Sequence, residues 1–235
     1  MGFYDVNGLK ISAEQFIKVY GDSYFIGNKR VVKGVGQNSI FAENEIDKIL
    51  CEGIKNPKDI VHILAWKIGK LNHYECDKKK KFVYHKDWEN AENMDVDRYG
   101  KKFEMKRFCD FVMENLSYME TECVNNPQAV LNKLNEGSVN YIGTVYLITM
   151  LYFISKSKYP IYDRFAMKAI EAIVNDIKPG TIVNEVQLPD KTSKKFNEIM
   201  DCEMNKYIKD LETVFGDDSR ERKIDRALWV YGHMF

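Results

Sequence analysis

No two of the five cysteines, Cys51, Cys76, Cys109, Cys123 and Cys202, stand in a C-x-x-C spacing, and their number is odd. That argues against a disulfide framework and fits reduced thiols in a cytoplasmic protein. No apolar stretch near Met1 reads as a signal peptide. No excess of either charge is present: 35 Lys+Arg balance 35 Asp+Glu. A chain that coats nucleic acid along its whole surface would be basic, so only a local basic patch could serve that purpose. No apolar run reaches the roughly 20 residues a membrane span needs. Gly34-Val35-Gly36 is followed by no Lys-Ser/Thr, so it reads as a turn and not as a phosphate loop. His73, Cys76 and His85 match no common zinc spacing, and neither metal nor cofactor is expected.

What is present points to a folded helical chain. Aromatic residues make up 13%, which favours order over disorder. Ser12 and Gln15 form a capping-box pattern that opens a short helix. Tyr24-Phe25-Ile26, Gly27-Asn28 and Lys29–Val32 read as a small β-hairpin. Helical spacing then predicts Glu43–Glu52 and a helix opened by Asn56-Pro57, on which His62 and Trp66 read as structural. Another is predicted over Asp97–Met119, and one more opens at Asn126-Pro127 and ends at Gly137. Residues 181–189 read as a loop with a short extended piece at Ile182-Val183. Apolar residues at intervals of three and four predict one long helix over Lys191–Phe215 and a last helix around Ile224–Tyr231.

The most hydrophobic stretch is Val139–Val174. Apolar residues fall on every face of Tyr141–Ile154, with Thr144 and Thr149 as the interruptions. A helix apolar all round belongs in the centre of a sizeable domain. Pro160 keeps Tyr159 extended. Asp163 stands just before a new helical pattern carrying Phe165, Ala169, Ile170 and Ile173. Read from spacing alone, Asp163 is the N-cap of that helix.

An apolar helix, a short loop and then Pro-x-x-Asp opening a second helix resembles the helix-hairpin-helix DNA glycosylase superfamily. The resemblance is confined to residues 131–174. It implies a DNA-glycosylase-like helical arrangement, DNA as the partner and Asp163 as the catalytic carboxylate. Tyr159 and Tyr162 would then line a base pocket, and Trp66, Trp88 or Trp229 could stack on a base. Two departures bear on the chemistry. The family hairpin carries a Gly-hydrophobic-Gly turn, whereas Leu131–Val139 holds Gly137 alone. The position of the family's Lys nucleophile falls near Thr144, and no Lys lies between Lys133 and Lys156. An enzyme of this kind would be a hydrolase without a lysine nucleophile. The alternative is a helical binding or regulatory module with neither catalysis nor a nucleic-acid role.

Two basic stretches are the candidate phosphate contacts. Lys78, Lys79, Lys80 and Lys81 precede Phe82-Val83-Tyr84, a short edge strand beside which aromatics and cations meet as on single-strand-binding surfaces. Lys101, Lys102, Lys106 and Arg107 crowd the start of the Asp97–Met119 helix. The expected fold is mainly α: one helical globular domain over 1–235 with a small N-terminal β-hairpin. A division into an N-terminal part (1–100) and a helical core (101–235) is the alternative.

Overall fold

The computed structural model describes residues 1–26, 40–68, 71–76, 79–84, 96–98, 101–138, 142–183 and 188–235. The fold is mainly α-helical. Short antiparallel strand pairs accompany the helices: β1 (Phe3–Tyr4) with β2 (Lys10–Ile11), β3 (Leu71–Cys76) with β4 (Lys79–Tyr84), and β5 (Val96–Arg98) with β6 (Lys101–Phe103). The helices are α1 (Ala13–Ile26), α2 (Ile40–Glu52), α3 (Pro57–Lys67), α4 (Met105–Glu122), α5 (Pro127–Gly137), α6 (Thr144–Ile154), α7 (Arg164–Val174), α8 (Asn205–Phe215) and α9 (Arg222–Gly232). No described helix is long and apolar enough to cross a membrane.

The chain forms two compact units that interleave along the sequence. The first contains β1, β2, α1, α7, α8 and α9. The second contains α2 to α6, the remaining strands and the segment Pro189–Glu198.

In the second unit α6 is the buried centre. Leu147, Ile148 and Leu151 have no solvent exposure. The two threonine hydroxyls in this apolar run are both satisfied: Thr144 donates to the Pro189 carbonyl at 2.5 Å, and Thr149 to the Val145 carbonyl one turn back at 2.8 Å. Around it, helix starts follow local chemistry. Asn56 caps α3 through the Lys58 amide while Asp59 reaches back to the Asn56 amide, and Pro57 sits where a missing N–H costs nothing. Asn126 and Pro127 repeat the device on α5. At the other end of α5, Ser138 accepts from the Lys191 ammonium at 2.8 Å and Asn135 donates to the Lys191 carbonyl at 3.0 Å. Burial pulls the Lys191 pKa down, and its charge sits at the carbonyl end of α5, where the helix dipole favours it.

In the first unit Ser12 and Gln15 form the reciprocal capping box that opens α1. Phe16 and Tyr20 of α1 meet Tyr231 of α9, with ring centroids 5.0 Å apart in each case. The Tyr20 phenol donates to the Tyr4 carbonyl at 2.9 Å. Gly232 lets α9 come down on the first turn of α7: a Cβ there would lie 2.0 Å from the Phe165 carbonyl oxygen. Gly232→Ala should therefore destabilise by about 1–3 kcal/mol, because backbone must move to admit one methyl. Gly21, inside α1, has 3.7 Å of clearance to the Lys223 carbonyl. Gly21→Ala should stabilise by about 0.5–1 kcal/mol through helix propensity. Urea midpoints moving in opposite directions would bear out the close crossing; equal midpoints would contradict it.

Several sequence expectations need correction. Tyr24-Phe25-Ile26 is the last turn of α1 and not a strand, because Phe16, Tyr20 and Tyr24 repeat every four residues and are all buried. The N-terminal strand pair is instead β1 with β2; residues 27–32 lie outside the described set, as do 34–36. The helix expected from Asp97 starts at Met105, and the residues before it form β5 and β6 on either side of Gly100, a poor helix residue. Ile182 and Val183 lie in the expected loop, in no described strand, and Ile182 is 93% exposed. The long helix predicted over Lys191–Phe215 is a 3-10 segment (Lys194–Glu198), a π segment (Ile199–Met204) and then α8. A tight turn followed by a wide one nearly preserves the apolar spacing, so Phe196, Ile199, Met200, Met204, Tyr207 and Leu211 all remain buried.

Candidate functional site

The start of α7 carries the strongest constellation. Lys156 and Ser157 take positive φ values and end the α6 segment. Pro160, Ile161 and Tyr162 then run buried into Asp163, which is 7% exposed. Asp163 is the N-cap of α7. Its Oδ1 accepts from the Phe165 and Ala166 amides, both at 3.0 Å. The carboxylate thus satisfies two first-turn donors and faces the positive end of the helix dipole.

Side chains distant in sequence pack against its neighbours Tyr162 and Phe165. The Tyr162 phenol donates to Glu203 at 3.1 Å, and the Tyr207 ring lies 5.2 Å from that of Tyr162. Burial, followed by the nearby Glu203 carboxylate, pushes the Tyr162 pKa well above the usual phenol range. Tyr207 is raised too, by burial first and then by Asp225 and Asp163. Both phenols therefore keep their protons at neutral pH and remain able to donate. Glu203 belongs to the π segment, a geometry frequent at functional sites.

His233, at the end of α9, stacks on Phe165 with centroids 3.6 Å apart and planes 12° from parallel. Its Nδ1 lies 2.8 Å from the Trp229 carbonyl. A carbonyl only accepts, so the ring proton sits on Nδ1 and Nε2 keeps a lone pair. Burial lowers the His233 pKa below 6.5, partly offset by the hydrogen bond to Trp229 and by Asp163. In the unfolded chain the imidazole titrates near 6.5. Below that value the unfolded state binds a proton that the folded state resists, so this contribution to stability is complete above about pH 6.5 and is lost as pH falls. The drop in Tm between about pH 7 and pH 5 should be smaller in His233→Phe than in wild type; an equal drop would remove His233 as its source.

The basic residues fall in the other unit. Lys79, Lys80 and Lys81 lie on β4, in register with Cys76, Glu75 and Tyr74; Lys78 is outside the described residues. Lys101 and Lys102 lie on β6, opposite Arg98 and Asp97. Lys106 pairs with Asp110 at 2.5 Å and Arg107 with Glu104 at 3.1 Å, both on the exposed surface of α4 and its N-cap. Exposed pairs of this kind contribute little and open readily to a competing anion. Tyr159 is half-buried, whereas Tyr162 is buried beside Asp163. Trp66 donates to the buried Glu43 at 2.5 Å and packs edge-on against Phe153, a structural placement. His62 is buried on the same helix. Trp229 remains half-buried on α9; Trp88 and His85 lie outside the described residues.

Asp163 and Tyr162 stand out in the sequence, whereas Glu203, Tyr207 and His233 do not. No local spacing links these to Pro160 or Asp163; only the packing of the π segment, α8 and α9 around Tyr162 and the start of α7 does. Comparison of the chain with models of protein families, with curated proteins and with solved structures finds no match.

Proposed function

We propose that this chain is a DNA-glycosylase-like helical protein that engages nucleic acid, with Asp163 as the carboxylate that would carry base excision. The observation that supports this reading is the burial of Asp163 at the head of α7, three residues after Pro160 and near two protonated phenols. In such a reaction water adds to C1′ of an extruded nucleotide, the glycosidic bond breaks, and its electron pair leaves with the base. A carboxylate beside the sugar stabilises the positive charge that develops there or takes the proton from water. Tyr207 would donate a hydrogen bond to the departing base, while Tyr162, whose proton is held by Glu203, would line the pocket. The test is release of free base from damaged duplexes, with Asp163→Asn as the paired variant.

A second reading has its own support. Both first-turn amides converge on one oxygen of Asp163, which is the geometry of a purely structural cap. On that reading the chain is a non-catalytic binding module. Binding without base release would favour it.

A further inference from the structure

The first unit carries a surface that the basic strands and Asp163 do not account for. Along α9, Arg226, Trp229 and His233 follow one another at intervals of three and four and so share a face. Arg164 and Phe165, the first residues of α7, lie against it. The Phe165 ring is stacked with His233, the Arg164 guanidinium stands 4.6 Å from its centroid, and Trp229 contacts Phe165, His233 and Tyr24 edge-on. Arg226 sits 5.1 Å from the Phe25 centroid. Arg164 is exposed, and Phe165, Trp229, His233 and Arg226 are all half-exposed. The charged groups that bear on His233 are Asp163, Arg164 and Lys168. The Asp163 carboxylate is turned to the α7 amides, and no described carboxylate pairs with Arg164.

We propose that this α7–α9 face is a platform for single-stranded nucleic acid, with bases stacking on Trp229 and the Arg164–Phe165–His233 stack and Arg164 and Arg226 meeting phosphates. The proposal rests on the nucleic-acid reading above and assigns it a place. Alternating rings and guanidinium groups match both halves of a nucleotide: every base has a face that stacks on an aromatic ring or guanidinium plane, and every phosphate accepts the guanidinium fork. An acidic peptide would use the arginines and leave the rings idle. Arg164 is already held over Phe165, so it loses little freedom on binding.

The experiment is fluorescence anisotropy of labelled oligo-dT titrated with the full chain across a salt series. Wild type is compared with Arg164→Gln, Trp229→Leu and a variant in which Lys79, Lys80 and Lys81 are all Gln. Arg164→Gln should lessen the slope of log K against log salt by about 0.7, the value for one phosphate contact on a single strand. Trp229→Leu should weaken binding by about fivefold or more at every salt concentration. If Trp229→Leu does not fold by circular dichroism, the slope of Arg164→Gln decides alone. Binding by wild type that Arg164→Gln and Trp229→Leu leave unchanged overturns the platform and keeps the nucleic-acid reading, with the lysine variant then locating the contact. No binding by wild type at low salt overturns both. Polyglutamate competing as well as unlabelled oligo-dT assigns the face to acidic polymers and overturns the proposal.

Discussion

Asp163→Asn should lower base release by about 10²–10⁴-fold, the range associated with a positioned acid–base group, while leaving the fold almost untouched. Asn caps a helix about as well as Asp, so the bonds from Phe165 and Ala166 can be kept. Losing the negative charge beside the helix dipole costs about 0.3–1 kcal/mol. The amide has the shape of the carboxylate but can neither take a proton nor balance positive charge on the sugar. Asp163→Ala should lose the activity and also about 0.5–2 kcal/mol of stability, because the cap goes with the charge. Tm and base release measured on the same three proteins separate the two roles of one side chain. A shift in Tm without any change in release would leave Asp163 as a cap and nothing more.

Leu151→Ala should cost about 2–5 kcal/mol, the range for emptying a fully buried leucine site. Leu151 has no solvent exposure and sits in the middle of α6, the centre of its unit. The neighbouring positions are filled by Leu147, Ile148 and Met150, all fully buried, so little can collapse into the space. A loss below about 1 kcal/mol, typical of surface positions, would mean that α6 is peripheral. Because the two units need not unfold together, the loss should appear first in the transition of the unit containing α6.

Much of this architecture is written in local chemistry. The all-round apolar pattern marks α6, and Ser12–Gln15, Asn56-Pro57, Asn126-Pro127 and Asp163 mark helix starts through side chains that bond amides two or three residues away. What was not legible depends on partners far along the chain. Tyr24 and Phe25 suit a strand by propensity, but Tyr24 turns helical because Trp229 of α9 receives its ring. The pairing of β5 with β6 interrupts what looked like a longer α4. The π segment is hidden because it leaves the apolar spacing intact. The candidate site divides the same way. Pro160 and Asp163 announce themselves by spacing, whereas Glu203 and Tyr207 reach Tyr162, and His233 reaches Phe165, only through tertiary packing.

Quantifying free base by mass spectrometry, after wild-type protein is incubated with a panel of damaged duplexes and single strands, tests the central claim most directly. Wild type should release at least one damaged base, at a rate that falls at least about a hundredfold in Asp163→Asn. No release from any substrate, with oligonucleotide still bound, would contradict it and leave a binding module whose Asp163 only caps α7.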